Sequence, residues 1–425
     1  MTVRVAMISE HASPLAVLGG EDAGGQNVYV DEVSRGVARL GYAVDVFTRR
    51  DGLDLPEVVS LAPGVRVVHV TAGPVAPLKK DQLWPHMPEF RDECLRLCRE
   101  SDVAYSLIHA NFWMSGWVAC ELGPLLGADV VQIFHALGEI KRRHQGTADT
   151  SPAERVEVER RIVREARLIV AQCPSERDEL IELYDADPRK VVVVPSAVNT
   201  AVFRQVGKQE ARRDLGWPMD ELVLLYVGRV LPRKGIDNLI RALPLLRGQP
   251  PAAFRLVVVG GETPNADLGS EPEMRRLVEL AERLGVRELV HFTGHRRSGE
   301  LHRYYSAADV FVSTPWYEPY GLTPLEAMAC GTPAVVSAVG GMTFTVVDGE
   351  TGFHVRPDDP AQLADRLAML LGEPARRERF GGAARARVAA HFTWPRVARR
   401  VAELYAGLLR APGDVPEAAS RQEEA

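Results

Sequence analysis

No apolar run in the 425 residues approaches the roughly 20 needed to span a bilayer. The short N-terminal run, Val3–Ile8, is interrupted by Arg4, which argues against a secretory signal. Cysteine is scarce and odd in number: Cys94, Cys98, Cys120, Cys173 and Cys330 are scattered, and the spacing of Cys94 and Cys98 is not C-x-x-C, so neither a zinc site nor a redox pair is expected. Charge of one sign is lacking as well. Against 57 Asp+Glu stand 51 Lys+Arg, a net −6, which supplies no global electrostatic reason to bind nucleic acid. There is no G-x-S-x-G, no P-loop and no His/Cys cluster at zinc spacing. Asp185-Ala186-Asp187 matches D-x-D as a string, but Pro188 follows directly and turn chemistry accounts for it. These absences describe a cytoplasmic protein without a metal centre.

What is present is a globular composition, 46% apolar and 25% charged. Short β-branched runs (Val3–Ile8, Ala43–Thr48, Val65–Val70, Leu107–Ala110, Val130–Phe134, Leu168–Ala171, Val191–Val194) alternate with helical stretches such as Asn27–Leu40, Pro88–Arg99 and Pro152–Glu165. The rhythm restarts with strands at Glu221–Val227, Phe254–Val259, Leu289–Phe292, Val310–Ser313 and Ala334–Ser337. Such alternation gives a parallel sheet covered on both faces, because crossovers are right-handed. The expected fold is α/β, with two Rossmann-like, doubly wound domains. Their boundaries are expected at 1–205 and 206–393, joined through Pro195–Trp217, with a helix over 394–410 and a disordered tail over 411–425. Ligands in such sheets sit beyond the carboxyl ends of the strands.

The strongest segment runs from Glu318 through Pro319, Tyr320, Gly321 and Leu322 to Glu326, after the strand Val310–Ser313. Thr323-Pro324 reads as a helix start, so the amides of Gly321 and Leu322 face an anion at the positive end of the helix. Glu326, expected in the first turn, can accept two hydrogen bonds from a ribose diol, and Glu318 can meet a second polyol. The plainer alternative is that both acids complement the helix dipole. Upstream, Gly228-Arg229 to Lys234-Gly235 places two cations five positions apart on a strand-to-helix loop, suited to a diphosphate. Arg233 between them is expected in solvent.

In the first unit, Gly24 and Gly25 permit close backbone approach to a ligand, with Asp22 and Asn27 beside them; a plain loop is equally open. This run is not G-x-G-x-x-G. His135 ends one strand and His11 follows another, each either a site residue or a structural hydrogen-bonder. Lys80, Arg142, Arg143 and His144 add positive charge suited to an acidic acceptor or simply to a solvated loop.

Taken together, Gly228-Arg229, Lys234-Gly235 and the E-x7-E of Glu318 and Glu326 resemble the retaining nucleotide-sugar glycosyltransferases that include sucrose-phosphate synthases and inositol-phosphate glycosyltransferases. Asp22–Val30 and His135–Lys141 resemble the same branch. The resemblance covers about residues 3–410 and implies the GT-B fold, two Rossmann-like domains facing a cleft, with a C-terminal helix crossing back to the first domain. It implies that Arg229 and Lys234 bind the donor diphosphate, Glu326 the ribose and Glu318 the transferred sugar. Gly25 would approach the phosphate, Tyr320, Gly321 and Leu322 would line the donor, and His135 would lie near the reacting sugar. His11, Asp22, Asn27 and Lys80 fall to the acceptor. Neither a metal nor any other cofactor is implied; the nucleotide-sugar is a co-substrate.

One departure stands out. Inositol-phosphate members hold the acceptor phosphate with Lys, Tyr, Thr and Arg. Lys80 matches the first, but Phe112 and Ala136 occupy the Tyr and Thr positions, which argues against inositol phosphate. The expected partners are therefore a nucleotide-sugar, UDP-linked ahead of GDP-linked, and a small-molecule, sugar-phosphate or glycan acceptor, with peripheral membrane contact and a homodimer left open. A non-catalytic sugar-nucleotide binder and a nucleotide-dependent oxidoreductase or epimerase are the alternatives.

Overall fold

The computed structural model describes residues 2–16, 24–100, 103–146, 149–249, 253–266, 268–269 and 271–410. Asp22 and the stretch 411–425 lie outside them. The chain divides into two compact units, Met1–Ser196 with Trp394–Ala425, and Ala197–Thr393. The units therefore meet at 196/197 rather than 205/206. The stretch 197–217, expected as a linker, belongs to the second unit and contains the helix Lys208–Leu215.

The first unit is built on β1 (Arg4–Ile8), β2 (Ala43–Arg49), β3 (Val58–Ala62), β4 (Val65–Val70), β5 (Leu107–Asn111), β6 (Asp129–Ile133), β7 (Leu168–Ala171) and β8 (Val191–Val193). They form one sheet in the order β3-β4-β2-β1-β5-β6-β7-β8, parallel except for β3 against β4. The second unit contains β9 (Leu222–Val227), β10 (Phe254–Val259), β11 (Val290–Gly294), β12 (Val310–Ser313), β13 (Ala334–Ser337) and β14 (Gly352–Val355), in the order β11-β10-β9-β12-β13-β14. Central strands are buried along their length, as parallel strands covered by helices must be. The edge strands β3 and β14 were not anticipated. The first alternates exposed and half-buried positions, and the second is four residues opening on Gly352, so neither carries a long β-branched run.

In both sheets the strand order reverses once, between β1 and β5 and between β9 and β12. Crossovers leave these two points in opposite directions, which opens a crevice at the carboxyl ends of those strands.

The helix Trp394–Arg410 packs on Gly25–Arg39 within the first unit. Its buried residues Trp394, Val397, Ala398, Val401, Leu404, Tyr405 and Leu408 recur at helical spacing and form one apolar face. Tyr42 donates to the Ala402 carbonyl at 3.2 Å, and the Tyr405 hydroxyl lies 2.6 Å from His109 Nδ1. At the crossing, Gly36 faces Ala398 so closely that a Cβ there would lie 2.4 Å from the alanine Cβ. Gly36→Val is therefore expected to destabilise the protein by about 1–3 kcal/mol through overpacking, read as a lowered Tm against Gly36→Ala and wild type. An unchanged Tm in both variants would show that the helices can part without cost.

Candidate functional site

In the second unit, β9 runs into Gly228-Arg229 and β12 into Thr314 through Tyr320, so the reversal point brings the two segments together. Two glycines make this approach feasible. Gly235 has φ +66 and a Cβ there would lie 1.9 Å from the Thr314 carbonyl, which itself sits beside a Thr314 Oγ1 to Gly235 carbonyl hydrogen bond of 2.9 Å. Gly340, φ +48, would meet the Glu318 carbonyl at 2.1 Å if it carried a Cβ.

At this junction Lys234 donates to Glu318 Oε2, and Arg233 stands 3.7 Å from the same oxygen. Arg233, expected in solvent, is thus half of a two-cation clamp and also donates to the Tyr317 carbonyl at 3.4 Å. Both cations belong to the short turn Pro232–Lys234, which meets the segment carrying Glu318. Burial pushes the Glu318 carboxyl upward, but Lys234 and Arg233 outweigh it and hold the group below the usual carboxylate range. Arg229 is exposed, and its carbonyl is anchored by the Tyr226 hydroxyl at 2.8 Å.

The helix after this junction is Leu322–Ala329 with Gly321 as its cap, two residues earlier than Thr323-Pro324 suggested. Gly321, with φ 83, turns the chain into the helix ahead of Thr323. The first-turn amides still lack intrahelical partners, but Glu326 moves to the second turn. There its Oε2 accepts a 2.6 Å bond from Tyr305, and burial pushes its pKa to about 7 in spite of that donor. Tyr305 was not foreseen: it comes from the helix Ser298–Ala307, and nothing local in the sequence couples it to Glu326. Tyr320 is buried, packed where Gly341 leaves room for its ring.

The reversal point of the first unit gathers a second set. Beyond β1, His11 Nδ1 lies 2.7 Å from Glu10 Oε1, and Ser115 donates to the other Glu10 oxygen. Beyond β5 and β6, Phe112 (φ 81) and His135 (φ 60) both adopt left-handed backbone conformations, each costing about 1–3 kcal/mol that the surrounding packing must offset. His135 Nε2 lies 3.2 Å from Asn111 Oδ1, and burial pushes its pKa down to about 3, so the ring is neutral at pH 7.

Gly25 is exposed at the start of its helix, whose first amides lack partners. The Asn27 amide, in contrast, is committed: Oδ1 accepts from Gly24 N at 2.9 Å and Nδ2 donates to the Ser13 carbonyl at 3.0 Å. A cavity of about 650 Å³ lies alongside, lined among others by Glu10, His11, Asn27, Arg49, His69 and Lys79.

The Lys80 ammonium sits 5.4 Å from the centre of the Phe112 ring, and the Arg155 guanidinium 5.0 Å from it. Arg155 is buried. It bonds Glu159 at 2.8 Å, Ser151 at 3.2 Å and the Ala136 carbonyl at 2.6 Å, while Glu159 also accepts from Gly138 N and Tyr184. Arg142, Arg143 and His144 fall in the last turn of Gly138–Gln145, where Arg143 pairs with Glu139 at 3.4 Å. Asp185 is the left-handed cap of Pro174–Tyr184 and Asp187 pairs with Arg189 at 2.8 Å, as turn residues would. Among the described residues no three His, Cys, Asp or Glu side chains gather as a metal site, and no helix is long and apolar enough to cross a membrane.

These arrangements agree with the comparisons to known proteins. Residues 207–387 match the family described as Glycosyl transferases group 1, and residues 23–202 match Glycosyltransferase Family 4. The chain is 41% identical over 385 residues to the D-inositol 3-phosphate glycosyltransferase of Acidothermus cellulolyticus, covering 89% of this chain and 85% of that one. To the enzyme of the same name from Corynebacterium diphtheriae it is 35% identical over 410 residues, 95% of each chain. Among solved structures, sucrose-phosphate synthase of Thermosynechococcus elongatus superposes with a TM-score of 0.86 at 34% identity, covering 96% of this chain and 99% of that one. Anabaena HepE, solved with UDP and glucose, shares the fold at a TM-score of 0.73 and 21% identity, over 96% and 100% of the two chains. Two parallel sheets of Rossmann order, a cation-and-carboxylate cluster at one reversal point and relatives of this similarity leave one conclusion: the chain belongs to the group 1 glycosyltransferases and is a glycosyltransferase of GT-B fold.

Proposed function

We propose that the protein moves a hexosyl group from a nucleoside-diphosphate sugar, UDP-linked ahead of GDP-linked, to an acceptor hydroxyl, with retention at the anomeric carbon and without a metal. Support comes above all from Lys234, Arg233 and Glu318 clustered next to the amides of Gly321 and Leu322. The leaving diphosphate gathers negative charge as the bond to the anomeric carbon breaks. Arg229, Lys234 and those amides stabilise that charge in the role a metal plays elsewhere, while Glu318 holds sugar hydroxyls and Glu326 the ribose. On the acceptor side no carboxylate is assigned as nucleophile. The acceptor oxygen therefore bonds to the anomeric carbon on the face the diphosphate leaves, and the departing phosphate oxygen takes the acceptor proton.

His135, neutral at its strand end, borders the reacting sugar, and Lys80 and His11 border the acceptor, whose body occupies the cavity between His11 and Lys79. The acceptor proposed here is not inositol phosphate, although relatives carry that name. Phe112 and Ala136 offer no hydroxyl, and the neighbouring Arg155 is neutralised by Glu159.

Calorimetry with UDP-, GDP- and ADP-sugars, NAD and NADP in EDTA tests the donor, with Glu326→Ala as control. One sugar nucleotide is expected to bind, and to bind less in the variant. Binding of NAD or NADP alone would overturn the proposal. With the donor known, turnover on inositol 3-phosphate is expected to remain at the hydrolytic background. Efficient transfer to it would refute the acceptor assignment.

A further inference from the structure

We infer that Asn111 is the positioning residue for His135, orienting the imidazole and holding it in the tautomer with hydrogen on Nε2. The inference rests on the proposal above that His135 borders the reacting sugar. Asn111 is the last residue of β5 and is fully buried. Its Nδ2 lies 3.3 Å from the Ile8 carbonyl of β1 and 3.5 Å from the His109 carbonyl. Carbonyl oxygens only accept, so the end of the amide facing them is the NH2 group and the end facing His135 is Oδ1. That oxygen also only accepts. His135 Nε2, 3.2 Å away, must therefore carry the hydrogen, and a neutral ring then keeps its lone pair on Nδ1.

Asn111 has little freedom to move. Its main chain is paired with Ile133 of β6, and its carbonyl accepts from Gln26 Nε2 at 3.3 Å. His135 itself sits at φ 60, an uncommon backbone conformation for a non-glycine residue that the surrounding packing must hold. The Tyr29 ring meets the imidazole edge-to-face at 5.1 Å and 74°. Around the ring stand Tyr29 from the helix Gly25–Arg39, His109 from β5, His11 after β1 and Gln172 after β7, with Glu176 acting on Tyr29. Burial lowers the His135 pKa most, the two other histidines lower it further, and Gln172 opposes them. A neutral ring suits the proposed reaction: positive charge develops at the anomeric carbon, and an imidazolium beside it would raise the barrier.

The test uses the full chain labelled with 15N-histidine. Two-bond proton–nitrogen spectra are recorded from pH 8 to 5, with His135 signals identified by their absence in His135→Asn. The Nε2–H tautomer is expected in the wild type throughout. Asn111→Asp, nearly isosteric, places a carboxylate against Nε2 and is expected to raise the ring's protonation midpoint by more than two pH units. Its kcat should fall by about tenfold and decline further as pH drops, with donor KM within twofold of wild type. Asn111→Leu should shift the ring toward Nδ1–H.

An Nδ1–H ring in the wild type would mean that Gln172 holds His135 instead. Unchanged titration and kcat profile in Asn111→Asp would also overturn the inference. Should the wild type transfer no sugar from any donor, the functional proposal fails while the spectra still decide the role of Asn111.

Discussion

Lys234→Ala is expected to lower kcat by about 10²–10³-fold, equivalent to about 2.7–4 kcal/mol of transition-state stabilisation, with a much smaller change in donor Kd. In the proposed reaction the asymmetry arises because the diphosphate already carries charge in the ground state and would be shared among Arg229, Lys234 and backbone amides, whereas the charge released on bond cleavage needs a nearby cation that does not have to reorganise. Lys234 is half-buried and held on the turn Pro232–Lys234 by its contact with Glu318. Removing it has a second effect. Glu318 keeps only Arg233, at 3.7 Å, against the burial that pushes its carboxyl upward, so its protonation should move to higher pH. Residual activity in the variant should then decline with falling pH earlier than in wild type. Single-turnover rates and calorimetric Kd values across pH separate the two effects. A kcat within threefold of wild type would remove Lys234 from the reaction.

If Glu326 holds the ribose as proposed, Glu326→Ala should weaken donor binding by about 100-fold, since two hydrogen bonds from a ribose diol to a carboxylate would be lost, at about 1.5–3 kcal/mol for each bond to a charged group and with partial replacement by water. The environment of Glu326 adds a pH signature. Burial raises its pKa to about 7 while Tyr305 pulls it down through the 2.6 Å bond. If the ionised form receives the diol, donor affinity is full above pH 7 and weakens as pH falls through 7. Tyr305→Phe removes the opposing donor, so the midpoint should shift upward and affinity at pH 7 should drop.

Stability has the opposite sign. Between the ordinary carboxyl value of 4.5 and about 7 the folded chain binds this proton more tightly than the unfolded chain, so stability linked to Glu326 is lost as pH rises through that window. Donor calorimetry from pH 5.5 to 8.5 on both proteins checks the prediction. Identical flat profiles would show that ionisation of Glu326 plays no part.

Much of the architecture was legible in the amino-acid sequence. Strands such as Phe254–Val259 and Val310–Ser313 are short β-branched runs buried on both faces, and that burial leaves a signature in the residues themselves. The Pro374–His391 helix begins at a proline, and the amphipathic face of Trp394–Arg410 is visible in its spacing. Glu318, Gly321 and Lys234 were legible because each lies on a strand-to-helix loop where glycine, proline and charge coincide. The edge strands β3 and β14 were not: each is only four or five residues long and pairs with a single neighbour.

The amino-acid sequence by itself therefore determined the two α/β units and the loops that carry the candidate site residues, because periodicity and turn residues are local properties of a chain. Tertiary structure alone decided the partners. Arg233 faces Glu318 across 85 positions instead of facing water, Tyr305 reaches Glu326 from another helix, and Asn111 meets His135 from a neighbouring strand. It also moved the start of the Leu322–Ala329 helix to Gly321 and buried Arg155 against Glu159. In each case the energy that selects the contact, ion pairing or hydrogen bonding away from water, depends on distance in space, and distance along the chain does not report it.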